Sequence, residues 1–334
     1  MKRLKAGIIG CGSIAAVHAS IVKELGLHEL VAFADIKKER AEAFAEKYGG
    51  NAYDSIEKLL ECESLDVIHI CTPHYLHVPM AIYGLEHNVH VFMEKPPVIS
   101  SEQHQKLKER NKARQLGICF QNRYNPSIQF VKRLIAEGKT GKVLGARGIV
   151  TWSRDAAYYE DSGWRGKWKT EGGGVLINQS IHTMDLLNYL VGKPLSIEAN
   201  MANYHLKDVI EVEDTLEAYI DYGEAKGIFY ATTAYSANTP PLIELSCENM
   251  TVRIEELDVT CYNKDGSITK PVIEKKNLPG KDYWGGGHHD CIEEFYECIS
   301  KDRQFKLNPE TLEDTISLML GAYKSAKEKC ICYV

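Results

Sequence analysis

Gly10-Cys11-Gly12-Ser13-Ile14-Ala15 follows a short apolar run, Leu4–Ile9, and opens an amphipathic stretch. Gly10 permits a tight turn, Gly12 lets the backbone approach a bound group, and Ala15 keeps the following helix close to the strand. The first amides of such a helix face an anion such as a pyrophosphate. The stretch therefore predicts a dinucleotide-binding turn. The alternative is an ordinary glycine-rich turn between a strand and a helix.

An acidic residue at the end of the second predicted strand supports this interpretation. Asp35 lies 23 residues past Gly12, close to the spacing at which a carboxylate binds the ribose hydroxyls and repels a 2′-phosphate. This favours NAD over NADP. Asp35 could instead cap a helix, and Lys37, Lys38 and Arg40 nearby would soften the preference.

Around this turn, short apolar runs alternate with helical patterns over the first 120 or so residues. The predicted strands are Leu4–Ile9, Leu30–Ala34, Asp66–Cys71, Val89–Met93 and Leu116–Phe120. Helical patterns between them include Lys37–Tyr48 and Ile56–Cys62. The alternation predicts an α/β dinucleotide-binding domain at residues 1–121, with a doubly wound parallel sheet of the Rossmann type.

The pattern changes after about residue 122. Thr215–Tyr222 alternates with period two, and Gly223-Glu224 and Glu248-Asn249 are hairpin turns. These features predict an α+β domain at residues 122–334 with a large open, mainly antiparallel sheet. We expect this domain to bind substrate and to mediate oligomerisation, because a broad sheet with one exposed face often self-associates. A homodimer or homotetramer is expected.

Composition excludes several classes of partner. The net charge is −6 and no basic block occurs, which argues against nucleic acid. No stretch approaches the roughly 20 apolar residues of a membrane helix. The ten cysteines are scattered, as expected of reduced thiols in a cytoplasmic protein. Cys330-Ile331-Cys332 lacks a partner pair with zinc spacing, and no metal site is expected.

Polar motifs follow the last three predicted strands of the first domain. They are Thr72-Pro73-His74, Glu94-Lys95-Pro96-Pro97 and Gln121-Asn122-Arg123. Open α/β sheets bind ligands at the carboxyl ends of their strands. Lys95 lies between an apolar strand and two prolines, where its ammonium could bind a substrate oxygen; the alternative is a surface turn.

A glycine run precedes a second set of polar residues. Asn178, His182 and Asp185 follow Gly172-Gly173-Gly174. On a continuous helix they would lie within about 60° on one face, at roughly 100° per residue. An imidazole between an amide and a carboxylate can act as a general acid or base. A buried, hydrogen-bonded histidine with no chemical role is the alternative.

An aromatic segment lies just upstream of these glycines. It contains Tyr158, Tyr159, Trp164, Arg165 and Trp168. Aromatic faces stack on a polyhydroxylated ring, and a guanidinium supplies paired donors. The segment therefore predicts a sugar-binding surface, with a core cluster or a subunit contact as the alternative.

In this order the motifs resemble the family of glucose-fructose oxidoreductase, inositol dehydrogenase and the rhizopine-catabolism protein (Gfo/Idh/MocA). Glu94-Lys95-Pro96 is similar to its most specific signature, and Thr72-Pro73 with His77 to its segment beside the cofactor. The glycine run with Asn178, His182 and Asp185 resembles its catalytic helix. Many members carry aspartate at the position of Asn178, which puts an inositol-type substrate in doubt.

The resemblance implies an enzyme that oxidises or reduces a secondary carbinol of a sugar, sugar derivative or cyclitol with NAD(P). The residues expected to bind the cofactor are Gly10, Gly12, Ser13, Ile14, Asp35, Thr72, Pro73, His74, His77, Glu94, Lys95, Asn122, Arg123, Trp164 and Arg165. Those expected to bind substrate are Lys95, Arg123, Tyr158, Trp164, Arg165, Asn178 and His182.

For the chemistry we expect three catalytic residues. His182 takes the hydroxyl proton, Lys95 stabilises the alkoxide, and Asn178 positions the hydroxyl or the imidazole. Asp185 orients His182 or packs the helix. Two other functions are open: a non-catalytic, NAD-binding sugar sensor, and a redox-assisted glycosidase or lyase that recycles NAD in place.

Overall fold

The computed structural model describes residues 3–26, 28–273 and 286–334. Within these residues the chain forms two compact units. The first comprises residues 3–121 and 286–312, and the second comprises residues 122–273 and 313–334. The sequence analysis assigned residues 286–312 to the C-terminal domain. The structure places them in the first unit, because their helix packs against the helix that follows the glycine turn.

The first unit is built on one parallel sheet. Its strands are β1 Lys5–Ile9, β2 Glu29–Ala34, β3 Asn51–Tyr53, β4 Val67–Ile70, β5 His90–Met93 and β6 Leu116–Ile118. Its helices are α1 Ser13–Glu24, α2 Lys38–Tyr48, α3 Ile56–Cys62, α4 His77–Glu86, α5 Ser101–Glu109 and, from the later segment, α9 Gly287–Ser300. The six strands are ordered β3-β2-β1-β4-β5-β6. The predicted doubly wound sheet is confirmed.

Local sequence explains most of these boundaries. The central strand β4 is buried along its whole length, as expected of a sheet covered on both faces. Ser55 caps α3 by accepting the amide of Lys58 at 3.2 Å. The sequence analysis missed β3, a three-residue edge strand without an apolar run. The third, fourth and fifth predicted strands, which the polar motifs follow, are therefore β4, β5 and β6.

The second unit is built on a mixed sheet. Its strands are β7 Val143–Thr151, β8 Ser196–Ala202, β9 Thr215–Tyr222, β10 Ala225–Thr232, β11 Leu242–Cys247, β12 Met250–Glu255, β13 Asp258–Asn263, β14 Ile268–Thr269 and β15 Cys332–Tyr333. Its helices are α6 Pro126–Ala136, α7 Ala156–Glu160, α8 Ile181–Val191 and α10 Glu313–Glu328. The nine strands are ordered β14-β13-β12-β11-β7-β10-β9-β8-β15. They pair antiparallel except for β7 and β10, so the mainly antiparallel sheet is confirmed.

The two faces of this sheet differ. In β9, Leu216, Ala218 and Ile220 are buried while Glu217 and Tyr219 are exposed. Helices α8 and α10 pack against β7 and β8 and cover the apolar face. No helix in the described residues is both long and apolar enough to span a bilayer.

Candidate active site

The glycine turn leaves room for a phosphate group. Gly10 has φ +86°, and a Cβ there would lie 2.9 Å from the Cys71 backbone and the Thr72 side chain. At Gly12, which caps α1, nothing lies within 4 Å of the position a Cβ would take. In the described part of the chain no side chain caps this helix, so its first amides are available to an anion. The turn fits a dinucleotide pyrophosphate.

Asp35 lies across the same turn. Its carboxylate accepts the amides of Cys11 and Lys37, both at 2.8 Å. Helix α2 begins at Lys38 with Lys37 in the cap position, so Asp35 is not its N-cap residue. A carboxylate held beside the phosphate-binding turn fits ribose hydroxyls and repels a 2′-phosphate.

The ends of β4 and β5 are tied together beside this turn. The ring nitrogens of His77 face the carbonyl oxygens of Pro96 and Thr72, each at 2.9 Å. Burial lowers the pKa of His77. The hydroxyl of Thr72 is buried and has no hydrogen-bond partner among the described residues. A buried hydroxyl of this kind is a group that a ligand would satisfy, while His77 holds the loops in place.

A buried chain of hydrogen bonds leads to the Glu94-Lys95 motif. The Tyr296 hydroxyl lies 2.8 Å from Nε2 of His69, and the Nδ1 atoms of His69 and His18 are 2.9 Å apart. Nε2 of His18 donates to Glu94 at 2.9 Å, since a carboxylate only accepts. Burial opposes ionisation of Glu94, but the hydrogen bond and charge of His18 hold its pKa well below the usual range. Lys95 thus follows an anionic carboxylate, which also accepts its backbone amide at 3.3 Å.

The sequence analysis missed this chain. The available signal was the placement of His18 and His69 within otherwise apolar segments. Cys119 joins the cluster, since its sulfur lies within 4.8 Å of the ligand atoms of His18 and Glu94. Zinc accepts these three donor types, but here His18 and Glu94 are hydrogen-bonded to each other. The expectation of no metal site stays a prediction.

In the second unit the glycine run is required by close packing. A Cβ at Gly173 would lie 2.0 Å from the Tyr323 hydroxyl, and one at Gly174 would lie 1.9 Å from the carbonyl oxygen of Glu213. The run is followed by a π-helical turn, Val175–Ser180, before α8 begins. The predicted continuous α-helix is therefore wrong at its start, and the 100° spacing does not extend through this turn. Such turns are frequent at functional sites.

Two buried carboxyls lie beneath the π-helical turn. Glu171 accepts the side-chain amide of Asn178 and the backbone amide of Gly166. Glu213 accepts the backbone amide of Gly174 at 2.9 Å and the Tyr323 hydroxyl at 2.9 Å. Burial raises the pKa of both carboxyls to about 7. Because Glu171 accepts Nδ2 of Asn178, the amide oxygen of Asn178 is turned away from it.

The hydrogen bonds of Asp185 hold the structure together and do not orient the imidazole of His182. Its carboxylate forms two hydrogen bonds with Arg123, at 2.8 and 2.6 Å, and accepts the Thr315 hydroxyl at 2.7 Å. Tyr189 covers the guanidinium at 4.8 Å. Both Asp185 and Arg123 are thus committed to a buried ion pair. His182, at the start of α8, is partly exposed.

The predicted aromatic cluster divides into two parts. Tyr159 is buried against Ile210 and Val212. The Trp168 indole donates to the Glu211 carbonyl at 2.9 Å and packs on Tyr323. Tyr159 therefore belongs to the core and Trp168 is held in place by its packing, but Trp168 is partly exposed, as are Tyr158, Trp164 and Arg165.

A parallel sheet with a glycine turn and an acidic end to its second strand, followed by a broad mixed sheet, defines a two-domain nicotinamide-dependent oxidoreductase. The model for the oxidoreductase family with an NAD-binding Rossmann fold matches residues 4–121. The GFO/IDH/MocA C-terminal domain matches residues 128–253. The chain belongs to the Gfo/Idh/MocA family, and its cofactor is NAD. The predicted family, enzyme class and cofactor are confirmed.

Individual relatives agree with this assignment. D-glucoside 3-dehydrogenase of Escherichia coli (strain K12) is 28% identical over 255 residues, which are 70% of this chain and 71% of that protein. Glucose-6-phosphate 3-dehydrogenase of Bacillus subtilis (strain 168) is 28% identical over 237 residues, 67% of this chain and 63% of that protein. The structure of the WlbA dehydrogenase from Bordetella pertussis, in complex with NADH and UDP-GlcNAcA, is 27% identical with a TM-score of 0.86 and covers 99% of both chains.

Proposed function

We propose that the protein is a dehydrogenase that oxidises a secondary hydroxyl on the ring of a sugar or sugar derivative, reversibly and with NAD. The observation that carries the proposal is the Glu94-Lys95 pair. A buried, anionic carboxylate holds the backbone of Lys95, and an ammonium at this strand end would stabilise an alkoxide. The relatives named above act on sugars or hold a nucleotide sugar, which supports a sugar-like substrate.

Three residues have separate roles in the proposed reaction. When bound, NAD supplies or accepts the hydride. His182 takes the hydroxyl proton as general base, which contributes about 10²–10⁴-fold to turnover. Lys95 donates a hydrogen bond to the oxygen as negative charge develops there. Asn178, fixed through Glu171, offers its amide oxygen to the hydroxyl or to the imidazole.

The cofactor residues of the first unit complete the proposal. Gly10 and Gly12 admit the pyrophosphate, Asp35 binds the ribose, and the unpaired Thr72 hydroxyl provides a hydrogen bond at the end of β4. We place the enzyme in the cytoplasm, where its ten unpaired cysteines stay reduced.

The exposed face of the large sheet supports a homo-oligomer. Ile228 pairs with Tyr219 across β10 and β9, and their side chains are 58% and 46% exposed. Apolar side chains on an open sheet face favour burial against a second copy. Light scattering of the wild type and of Ile228→Asp tests this point, and a wild-type monomer would refute it.

The activity itself is tested by incubating the enzyme with NAD and a panel of sugars, sugar phosphates, nucleotide sugars and cyclitols. We expect NADH absorbance with at least one sugar. If no compound yields NADH but one binds tightly in the presence of NAD, the protein is a sensor. Cofactor that stays bound through purification and cycles without net NADH would instead favour the glycosidase or lyase.

A further inference from the structure

Two arginines and three aromatic rings alternate in the second unit. The Arg165 guanidinium lies 4.4 Å from the ring centre of Tyr158 and 5.0 Å from that of Trp164. The Arg154 guanidinium lies 5.0 Å from the ring centre of Trp152 and 5.1 Å from that of Tyr158, so Tyr158 contacts both arginines. We call these five residues the arginine ladder. Stacking holds both guanidiniums in a fixed orientation.

The two arginines of the ladder are not ion-paired with any carboxylate that the structure describes. Among the described residues, the Arg154 side chain donates to two neutral oxygens, the Ser153 carbonyl and the Asn238 side chain. Neither Arg154 nor Arg165 forms an ion pair with any described residue, and Nε of each is buried without an acceptor. Arg165 lowers the pKa of Glu171 through its charge, but burial dominates there and the pKa of Glu171 remains at about 7. Neither guanidinium is therefore engaged in an ion pair within the residues that the structure describes.

The ladder adjoins the π-helical turn of the same unit. Nε2 of Gln179 donates to the Tyr158 hydroxyl at 3.2 Å, and Gln179 follows Asn178 in the π-helical turn. The Gln179 side chain is 7% exposed, and its amide oxygen has no partner among the described residues. Gln179 thus connects the ladder to Asn178, a candidate catalytic residue.

We propose that the arginine ladder binds an oxyanion of the substrate, so that the enzyme acts on an anionic sugar rather than a neutral one. Planar guanidiniums donate paired hydrogen bonds to phosphate and carboxylate oxygens, and the rings stack on the sugar or on an attached base. A phosphate ester, a nucleoside diphosphate and a uronate share this chemistry. The inference rests on the proposed sugar dehydrogenase activity and names its substrate class.

Unmodified enzyme tests the class directly. Kinetics with NAD are compared for a hexose 6-phosphate, a UDP-hexose and a hexuronate, each against the neutral methyl glycoside of the corresponding unmodified hexose. We expect kcat/KM for at least one anionic sugar to exceed that of its neutral counterpart by about 10-fold or more for each arginine engaged. Inorganic phosphate should compete with that sugar. Equal or better turnover of the neutral glycosides would overturn the inference and leave the proposed function standing, whereas no NADH from any sugar would remove the proposed function itself.

Variants then locate the anion. Arg154→Gln and Arg165→Gln should each lower kcat/KM for the anionic sugar by about 10- to 100-fold, and Arg154→Gln should leave the affinity for NAD unchanged. Arg133→Gln, at an exposed arginine of α6, is the matched control and should behave as wild type. The same loss with neutral and anionic sugars, or weaker NAD binding in place of sugar binding, would assign the ladder to packing or to the cofactor.

Discussion

Replacing Glu171 by Gln tests whether the carboxyl beneath the π-helical turn titrates near neutral pH. Burial raises its pKa to about 7 despite the hydrogen bonds from Gly166 and Asn178, whereas the unperturbed value is 4.5. The folded state therefore binds this proton more tightly than the unfolded chain. The resulting stabilisation is fully present below pH 4.5 and is lost as the pH rises through about 7. At about 1.4 kcal/mol for each pH unit, the loss amounts to about 3 kcal/mol.

The assay is urea unfolding of wild type and Glu171→Gln from about pH 5 to about pH 8. Gln keeps an oxygen for the Gly166 amide, and the Asn178 amide can turn over to meet the new donor. Over this range we expect the free energy of unfolding to fall by about 2.5 kcal/mol more for wild type than for Glu171→Gln, because part of the loss lies below about pH 5. Glu160→Gln, at an exposed glutamate, should follow wild type. Parallel curves for wild type and Glu171→Gln would refute the reasoning.

Three further predictions address the two units. Asp35→Ser should narrow or reverse the preference for NAD over NADP, because the repulsion of a 2′-phosphate is removed; cofactor titration by fluorescence measures this, and tighter NADP binding to wild type would contradict it. His182→Ala should keep NAD affinity but lose about 10²–10⁴-fold in kcat, and Lys95→Met should be at least as damaging; normal steady-state turnover in both would exclude the mechanism. Tyr296→Phe leaves a ring nitrogen of the buried His69 unpaired and should cost about 1–3 kcal/mol; an unchanged urea midpoint would show that the hydroxyl contributes nothing.

Periodicity predicted both sheets because burial is regular there. Alternation of apolar runs with helices leaves few arrangements other than a parallel sheet, and period two with turn residues defined the β9–β10 hairpin. The edge strand β3 was not predicted, because three residues are too few to show a periodic pattern. The assignment of residues 286–312 failed because their contacts with the first unit are long-range, and no local pattern reports them.

The candidate site was predictable where a motif has a local cause. Gly10, Gly12 and Asp35 act through the backbone turn and strand end on which they lie, and the structure places them together. The roles of Asn178 and Asp185 depended on a continuous helix, which the π-helical turn replaces. Partners distant in sequence, such as Thr315 for Asp185, follow only from the tertiary structure.

Three candidate functional residues are each hydrogen-bonded to a buried carboxylate. Glu94 accepts the backbone amide of Lys95, Glu171 accepts the side chain of Asn178, and Asp185 pairs with Arg123. Burying a carboxylate is costly, and a core built for stability alone would use apolar groups at these positions. The cost is offset only while every partner is in place, so removal of a partner such as His18 should destabilise the fold along with the site. The arginine ladder has the opposite arrangement, with two oriented cations that form no ion pair among the described residues. An anion brought by a substrate would therefore meet two guanidiniums not already paired with a described carboxylate.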